Sequence, residues 1–550
     1  MIANPMQEQI LDHQEIEWQL EADDLESVES WLEEHPSASG LAVVRRATKE
    51  LTDTYYDTED WRLYRAGYAL RVRRDGEDAE ATMKALASAE DALRRRREIS
   101  EPLADGITTP EGAPGPVGQR VRRVAGGADL RPLFEVRTRR RIFALRPETA
   151  STGVTVEDAA GDIRRAEDGQ EAAVGEISLD ESEFSGDDEA TARLSRVEVE
   201  VGSEAVVHDG VGDFVDTLRD ALGLRPTEAS KFRTGLSAAG LSPAVAPDLG
   251  PTQIDASMSA GEVAFAILRR HFATMLAHEP GVRLGEDPEE LHDMRVATRR
   301  LRAALKLYAH VLPKRAERYE RDLRHFARAL GDVRDLDVHL ERLSGEASKN
   351  EEIFEESATV LEERRVEARR RMLEVLDSNR YERFVASFSG TLRRGRSPAL
   401  SGPILKVAPD LVRRRYKKVR KDLEALGKDS PPEDFHDLRK KGKRLRYALE
   451  PLQGIYGKPS EKMVELLKTV QDDLGDHQDL IVAAGLMQEL GAAGDLPPRA
   501  IFSMGSMAER YLGDAAELRA SWLGSRQLRA LKGGKPWKRL RRTMKKRAGG

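Results

Sequence analysis

The chain has 550 residues, 34% charged and 5% aromatic, with no cysteine; it is too long for one hydrophobic core and excludes disulfide frameworks, thiolate metal sites and cysteine nucleophiles. No run of about 18 apolar residues offers a membrane span, and the start has no basic and apolar leader, so the chain reads as cytoplasmic with no membrane partner. The net charge of -7 hides a division: residues 1–250 hold 30 Lys+Arg and 51 Asp+Glu (net -21), and residues 251–550 hold 59 and 45 (net +14).

In chain order, short alternating runs come first: QEIEWQL, YALRVRR, ATMKAL, EVRTRRRIF and RVEVEV. They read as strands between Gly, Pro and Asp turns. Two helices interrupt them, Asp23–His35 and His208–Leu222, with apolar positions at three-and-four spacing. In a strand, alternate side chains share a face. Glu15, Glu17 and Gln19 therefore oppose Ile16, Trp18 and Leu20. Arg71 and Arg73 oppose Leu70 and Val72, Arg139 and Arg141 oppose Ile142, and Glu198 and Glu200 oppose Val197, Val199 and Val201. Closing such a sheet with its ionic faces inward makes a cavity lined by acids and bases. Carboxylates there take hard Mg2+ or Mn2+, while Arg and Lys neutralise phosphate oxygens.

These residues carry a resemblance. Glu15-Ile16-Glu17, Tyr56-Asp57-Thr58, Leu63, Gly67, Leu70-Arg71-Val72-Arg73, Thr82-Met83-Lys84, Glu198-Val199-Glu200 and Ser230-Lys231 stand in the order of the CYTH family, the triphosphate tunnel metalloenzymes. The resemblance covers about residues 10–237 and implies an eight-stranded antiparallel tunnel. It implies a triphosphate held by Arg71, Arg73, Lys84, Arg139, Arg141 and Lys231, and a divalent cation held by Glu15, Glu17, Glu198 and Glu200. Glu15, Glu17, Arg71, Arg73 and Lys84 would carry the catalysis. The family's metal-linked acid falls on Asp180 or Asp158, with Asp180 preferred because it lies in the strand before Glu198. The signature lysine is Gln19 here, an amide that donates hydrogen bonds but neutralises no charge. Arg96 and Glu98 fit either face.

Composition breaks at Leu241–Ala256, which offers three prolines and little charge and reads as a linker. Long amphipathic stretches rich in Ala, Leu, Glu and Arg follow, which predict helices. LHDMRVATRRLRAALK (291–306) matches FHDLRKKGKRLRYALE (435–450) at 8 of 16 positions, an offset of 144. LGDVRDL (330–336) and LGDHQDL (474–480) keep that offset, as do Leu268–Phe272 and Val412–Tyr416. Three blocks in one register predict a duplicated helical unit. His292, Arg295, Arg299, Arg302 and Lys306 share one helix face, and His436, Arg439, Lys443 and Arg446 repeat it. Few acids stand at i±4, so the stripe reads as unneutralised. The Asp332/Asp335 and Asp476/Asp479 pairs read as caps and ion-pair partners rather than metal ligands. His292-Asp293 and His436-Asp437 also open a metal-dependent HD phosphohydrolase reading, for which no further ligand set is found.

The repeated HDxRxxxxRLRxAL pattern resembles the CHAD domain, a conserved-histidine α-helical domain, over about residues 258–545. That implies a basic surface for inorganic polyphosphate. His292, Arg295, Arg299, Arg302, His436, Arg439, Lys443 and Arg446 are its first expected contacts, and Arg269, Arg270, Arg413 and Arg414 its next.

The expected architecture is an α+β domain at 1–238, an eight-stranded antiparallel β tunnel with flanking helices. A linker at 239–257 joins it to an all-α domain at 258–550, two pseudo-symmetric bundles at about 258–401 and 402–545. The expected activity is a Mg2+- or Mn2+-dependent triphosphate or polyphosphate phosphohydrolase. The alternatives are a non-catalytic polyphosphate-binding protein, located at granules, and a nucleic-acid binder. The last is the weakest because few aromatics interleave with the basic stripes.

Overall fold

The computed structural model describes residues 11–86, 92–104, 106–107, 109–147, 156–157, 163–164, 173–185, 192–202, 210–227, 229–346, 351–395, 402–493 and 497–549. The chain divides into two units, Met1–Val245 and Ala246–Gly550. Asp158 and His208, named above, lie outside the described residues.

In the first unit eight strands close on themselves. They are β1 (Leu11–Glu21), β2 (Leu41–Thr58), β3 (Tyr68–Asp75), β4 (Asp78–Ala85), β5 (Leu93–Pro102), β6 (Leu130–Pro147), β7 (Gly175–Ser185) and β8 (Ala192–Val201). Their order is β1-β5-β4-β3-β2-β6-β7-β8, and β8 pairs back to β1, every pair antiparallel. The alternation in the sequence explains the closure. Ile16, Trp18 and Leu20 join Ile177, Leu179, Val197 and Val199 in one outer core. That core is covered by α1 (Leu25–Glu34), through Val28 and Leu32, and by α2 (Gly212–Leu222), through Phe214 and Leu218. Asp24 caps α1 by accepting from the N–H groups of Glu26 and Ser27.

A second, smaller core gathers Tyr55, Phe134, Val136 and Phe184 around Phe232 and Leu236 of α3 (Lys231–Ala238). Gly235 permits this contact, because a Cβ there would stand 2.0 Å from the Phe134 ring.

The second unit is helical. Its elements are α4 (Ala260–Leu284), α5 (Pro288–Leu307), α6 (Ala316–Glu346), α7 (Glu351–Leu376), α8 (Asn379–Arg394), α9 (Ile404–Ala425), α10 (Pro432–Leu449), α11 (Lys458–Ala493), α12 (Pro498–Leu523), α13 (Arg526–Leu531) and α14 (Lys535–Gly549). A capping box between Ser259 and Glu262 starts α4, and Pro288 and Pro432 open α5 and α10. Ile404 follows Ala260 by 144 positions and Pro432 follows Pro288 by the same 144. Phe272 packs against Phe384 and Phe388, and its counterpart Tyr416 stacks on Trp537 at 3.7 Å. The proline-rich stretch expected as a linker is tied to this unit beyond Ala246: Leu249 is buried in its core, Arg269 donates to the Pro251 carbonyl and Arg393 to that of Asp248. Among the described residues no helix is long and apolar enough to cross a membrane.

Candidate functional site

The barrel encloses a cavity of about 660 Å3. Strand parity turns Glu15, Glu17 and Gln19 of β1, Arg94, Arg96 and Glu98 of β5, and Glu198 and Glu200 of β8 into it. Arg71, Arg73, Lys84, Arg140, Lys231, Arg233 and Glu80 complete its charged lining, eight Lys/Arg against six Glu. Glu15 is bracketed: Lys84 donates to Oε1 and Arg96 to Oε2, each at 2.6 Å. Burial opposes its ionisation, but those two cations hold its carboxyl well below the usual range. Glu198 accepts from Arg140 at 2.7 Å and stands 3.1 Å from Lys231; against burial, these cations depress it as well.

Glu17 and Glu200 differ. Both bonds to Glu17 fall on Oε1, from Arg96 at 2.5 Å and Gln19 at 2.7 Å. Among the described residues no donor reaches Oε2. Burial, with Glu15 and Glu198 nearby, raises the Glu17 carboxyl. Glu200 is exposed at the cavity wall yet enclosed by protein, and that enclosure, with Glu15 and Glu17 close by, pushes it up to about 7.

Three expectations are corrected. Arg139 points outward, 57% exposed and 3.9 Å from Glu50. Arg141 also lies outside the cavity, paired with Glu29 of α1 and Glu181. The β6 residue of opposite parity, Arg140, lines the cavity instead. Asp180 does not line it: fully buried, it accepts from Arg140 through both oxygens and from Lys231, and so orients two cations. Asp57 is a structural acceptor for the N–H groups of Thr58, Leu63 and Tyr64. Burial pushes its carboxyl up to about 6.

Sequence reasoning missed Asp53, buried on β2, which accepts from Arg73 at 2.8 Å through both oxygens and from Arg71 at 3.3 Å. It also missed Arg94, Arg140, Arg196 and His13; the parity of RRRREIS and SRVEVE contained the signal for Arg94 and Arg196. Arg96 and Glu98, left open above, both face the cavity.

Among the described residues no three His, Asp or Glu side chains converge at metal-ligand spacing. The open donors are Glu17 Oε2 and Glu200, hard oxygens opposed in the β1–β8 register. They suit a divalent cation that keeps waters and phosphate oxygens as its remaining ligands.

In the helical unit a groove of about 1640 Å3 runs between α4, α5, α9 and α10. Fifteen Lys/Arg line it against two acids, Asp410 and Glu450. Of the expected contacts, Arg270, Arg299, Arg302, Arg414 and Lys443 line it. His292, Arg295, His436, Arg439, Arg446, Arg269 and Arg413 do not. Arg269 is spent on the Leu392 carbonyl and Arg413 pairs with Asp410. Lys306 of the expected stripe also lines it, and Arg300, Lys406, Arg415, Lys417, Lys418, Lys440, Lys441, Arg444 and Lys468 join the lining without having been expected.

The stripes are partly neutralised after all, at Arg295 and Arg302 by acids of α6 and at Arg446 by the acid four residues on, at the end of α10. Arg295 pairs with Asp335 at 2.8 Å, Arg302 with Glu320 at 3.3 Å and Arg446 with Glu450 at 3.5 Å. The first of these is the ion-pair role expected for Asp335. The guanidinium of Arg439 lies against Gly475, where a Cβ would meet it at 3.2 Å, and that of Arg295 lies near Gly331. The repeated LGD thus leaves room for an arginine. Where α5 meets α10, Arg299 donates to the Tyr447 hydroxyl at 3.0 Å. Burial and the charges of Arg299, Arg439 and Arg446 bring the Lys443 ammonium down to about 7.

Comparisons with known proteins agree with this division. A CYTH domain model matches residues 13–235 and a CHAD domain model matches residues 266–488. No curated protein matches the chain. Among solved structures, the CHAD domain from the plant Ricinus communis is 27% identical, covering 51% of this chain and 97% of its own, with a TM-score of 0.44. PptA from Streptomyces chartreusis is 18% identical over 48% of this chain and 98% of its own, TM-score 0.39. HpAC1 from Hippeastrum, described as having a dominant triphosphatase activity, is 15% identical over 42% of this chain and 97% of its own, TM-score 0.29.

Proposed function

Because the chain carries a CYTH domain at 13–235 followed by a CHAD domain at 266–488, we propose that it is a divalent-metal-dependent phosphohydrolase of triphosphate or polyphosphate whose helical domain holds the phosphate chain. The observation that carries this reading is the tunnel lining, where eight cations exceed six carboxylates and two of those carboxylates keep open oxygens. Arg71, Arg73, Lys84, Arg96, Arg140 and Lys231 bind and orient the anion by charge-assisted hydrogen bonds. An incoming phosphate takes over donors now held by Glu15 and Glu198. Glu17 and Glu200 would hold Mg2+ or Mn2+, which when bound polarises a phosphoryl oxygen. A carboxylate-oriented water then attacks the terminal phosphorus in line as the bond from that phosphorus to the bridging oxygen breaks. Orthophosphate and the shortened chain are the products, the water's proton passes to a tunnel carboxylate, and the cations stabilise the charge that develops on the oxygens. In the helical domain the groove with fifteen cations binds inorganic polyphosphate as a chain of point charges. We place the protein in the cytoplasm.

A second reading, a polyphosphate-binding protein without turnover, is favoured by Gln19 and by the ion pairs that already occupy Glu15 and Glu198. Phosphate release from tripolyphosphate and from long-chain polyphosphate, with and without Mg2+ or Mn2+, separates the two. No release under any of these conditions sinks the enzyme reading and leaves the binding protein.

A further inference from the structure

We infer that Arg196 is a positioning residue of the tunnel: acting through the amide of Gln19, it fixes Glu17 with one carboxylate oxygen tied down and the other free for a ligand. This deepens the tunnel reading above and rests on it.

Arg196 of β8 is completely buried, and Gln19 of β1 is 2% exposed. Arg196 Nη1 donates to Gln19 Oε1 at 3.3 Å, and Gln19 Nε2 donates to Glu17 Oε1 at 2.7 Å. The orientation of the amide is forced. A guanidinium has no acceptor, so only the carbonyl suits Arg196, and that turns the NH2 to Glu17 Oε1. Arg96 lands on the same Oε1 at 2.5 Å, which leaves Oε2 as the ligand oxygen.

The guanidinium is itself anchored. Nη2 donates to the Ala229 carbonyl at 2.7 Å, and Nη1 stands 4.0 Å from Glu198 Oε1. A neutral amide is the right link here. A lysine at position 19 would set a second cation against a buried guanidinium, yet it would replace the missing charge once that guanidinium is gone.

The test uses the full chain in four forms: wild type, Arg196→Gln, Gln19→Lys and the double variant. Four quantities are measured: kcat and KM for tripolyphosphate, Mn2+ affinity by calorimetry without substrate, and melting temperature. Each single variant is expected to lose at least about tenfold in kcat and in Mn2+ affinity, with KM within about threefold. The double variant is expected to return to within about threefold of wild type, because the lysine then supplies both the cation and the donor to Glu17 Oε1.

A double variant no better than the worse single variant overturns the inference. So does a Gln19→Lys protein that matches wild type in Mn2+ affinity. If Arg196 served only to anchor Ala229, the second substitution would rescue nothing. Should Arg196→Gln fail to fold, Arg196→Lys, which keeps the charge, and the double variant decide the same question. A wild type that hydrolyses nothing yet shows the Mn2+ pattern refutes the enzyme reading and keeps the relay; hydrolysis with additive variants does the reverse.

Discussion

Glu17 on β1 and Glu200 on β8 face each other, residue for residue, across the seam that closes the barrel. They are the carboxylates of the expected metal set that carry open oxygens, whereas Glu15 and Glu198 are held by cations. Glu17→Gln and Glu200→Gln should each lower divalent-dependent phosphate release by about 100-fold or more, equivalent to roughly 3 kcal/mol of lost transition-state stabilisation. Polyphosphate binding by the helical domain should be nearly unchanged, so calorimetry with long-chain polyphosphate is the matching control. Equal loss in both assays would mean that the two sites are not separate.

The groove should dominate polyphosphate affinity. Arg299→Glu combined with Lys443→Glu should weaken binding by roughly 10- to 100-fold near 0.15 M salt and flatten the dependence of log K on log salt, because fewer counterions are released. Arg295→Glu should lose less, since Arg295 is already paired with Asp335. Titrations at several salt concentrations check the ranking; a larger loss at Arg295 would move the site to the opposite end of the stripe.

Lys443 makes the affinity pH-dependent. Its ammonium is brought down to about 7 from the ordinary 10.5 by burial and by Arg299, Arg439 and Arg446, with Asp479 the opposing charge. A bound polyanion raises that value, so binding takes up a proton and affinity should fall as pH rises above about 7. The free fold behaves oppositely. Its unfolded state binds the extra proton, so this residue's contribution to stability rises with pH between about 7 and 10.5. Lys443→Arg should remove the affinity slope between pH 7 and 9, and an unchanged slope would assign it to another group.

Gly235→Ala should destabilise the tunnel unit by about 1–3 kcal/mol, since its Cβ would sit 2.0 Å from Phe134 in a packed aromatic core. A thermal melt of the full chain reads this as a lower transition for that unit. An unchanged transition would show that α3 shifts freely.

The strand pattern of β1, β3, β4 and β8 determined the sheet faces, because a period of two with apolar residues on one side leaves a single way to bury them. It placed Glu15, Glu17, Arg71, Lys84, Glu198 and Glu200 in the cavity. In β6 the same reasoning failed. Arg139, Arg140 and Arg141 are chemically alike, and the adjacent apolar residues Ile142 and Phe143 lie on opposite faces, so Ile142 was a misleading marker: Phe143 and Leu145, of Arg141's parity, pack in the outer core. The choice comes from Glu29 on α1, which draws Arg141 outward, and from Asp180 and Glu198, which draw Arg140 inward.

The helical half divides in the same way. Periodicity fixed which face of α5 and α10 is apolar, and the offset of 144 residues related the two helices. The charge state of the opposite face was largely beyond its reach: Arg446 meets Glu450 four residues on, but the acids that neutralise Arg295 and Arg302 are Asp335 and Glu320, which come from a different helix. The sequence determined what each element presents, through local periodicity and burial. Only the tertiary structure decided which charges remain open, because ion pairs form between side chains brought together from distant parts of the chain.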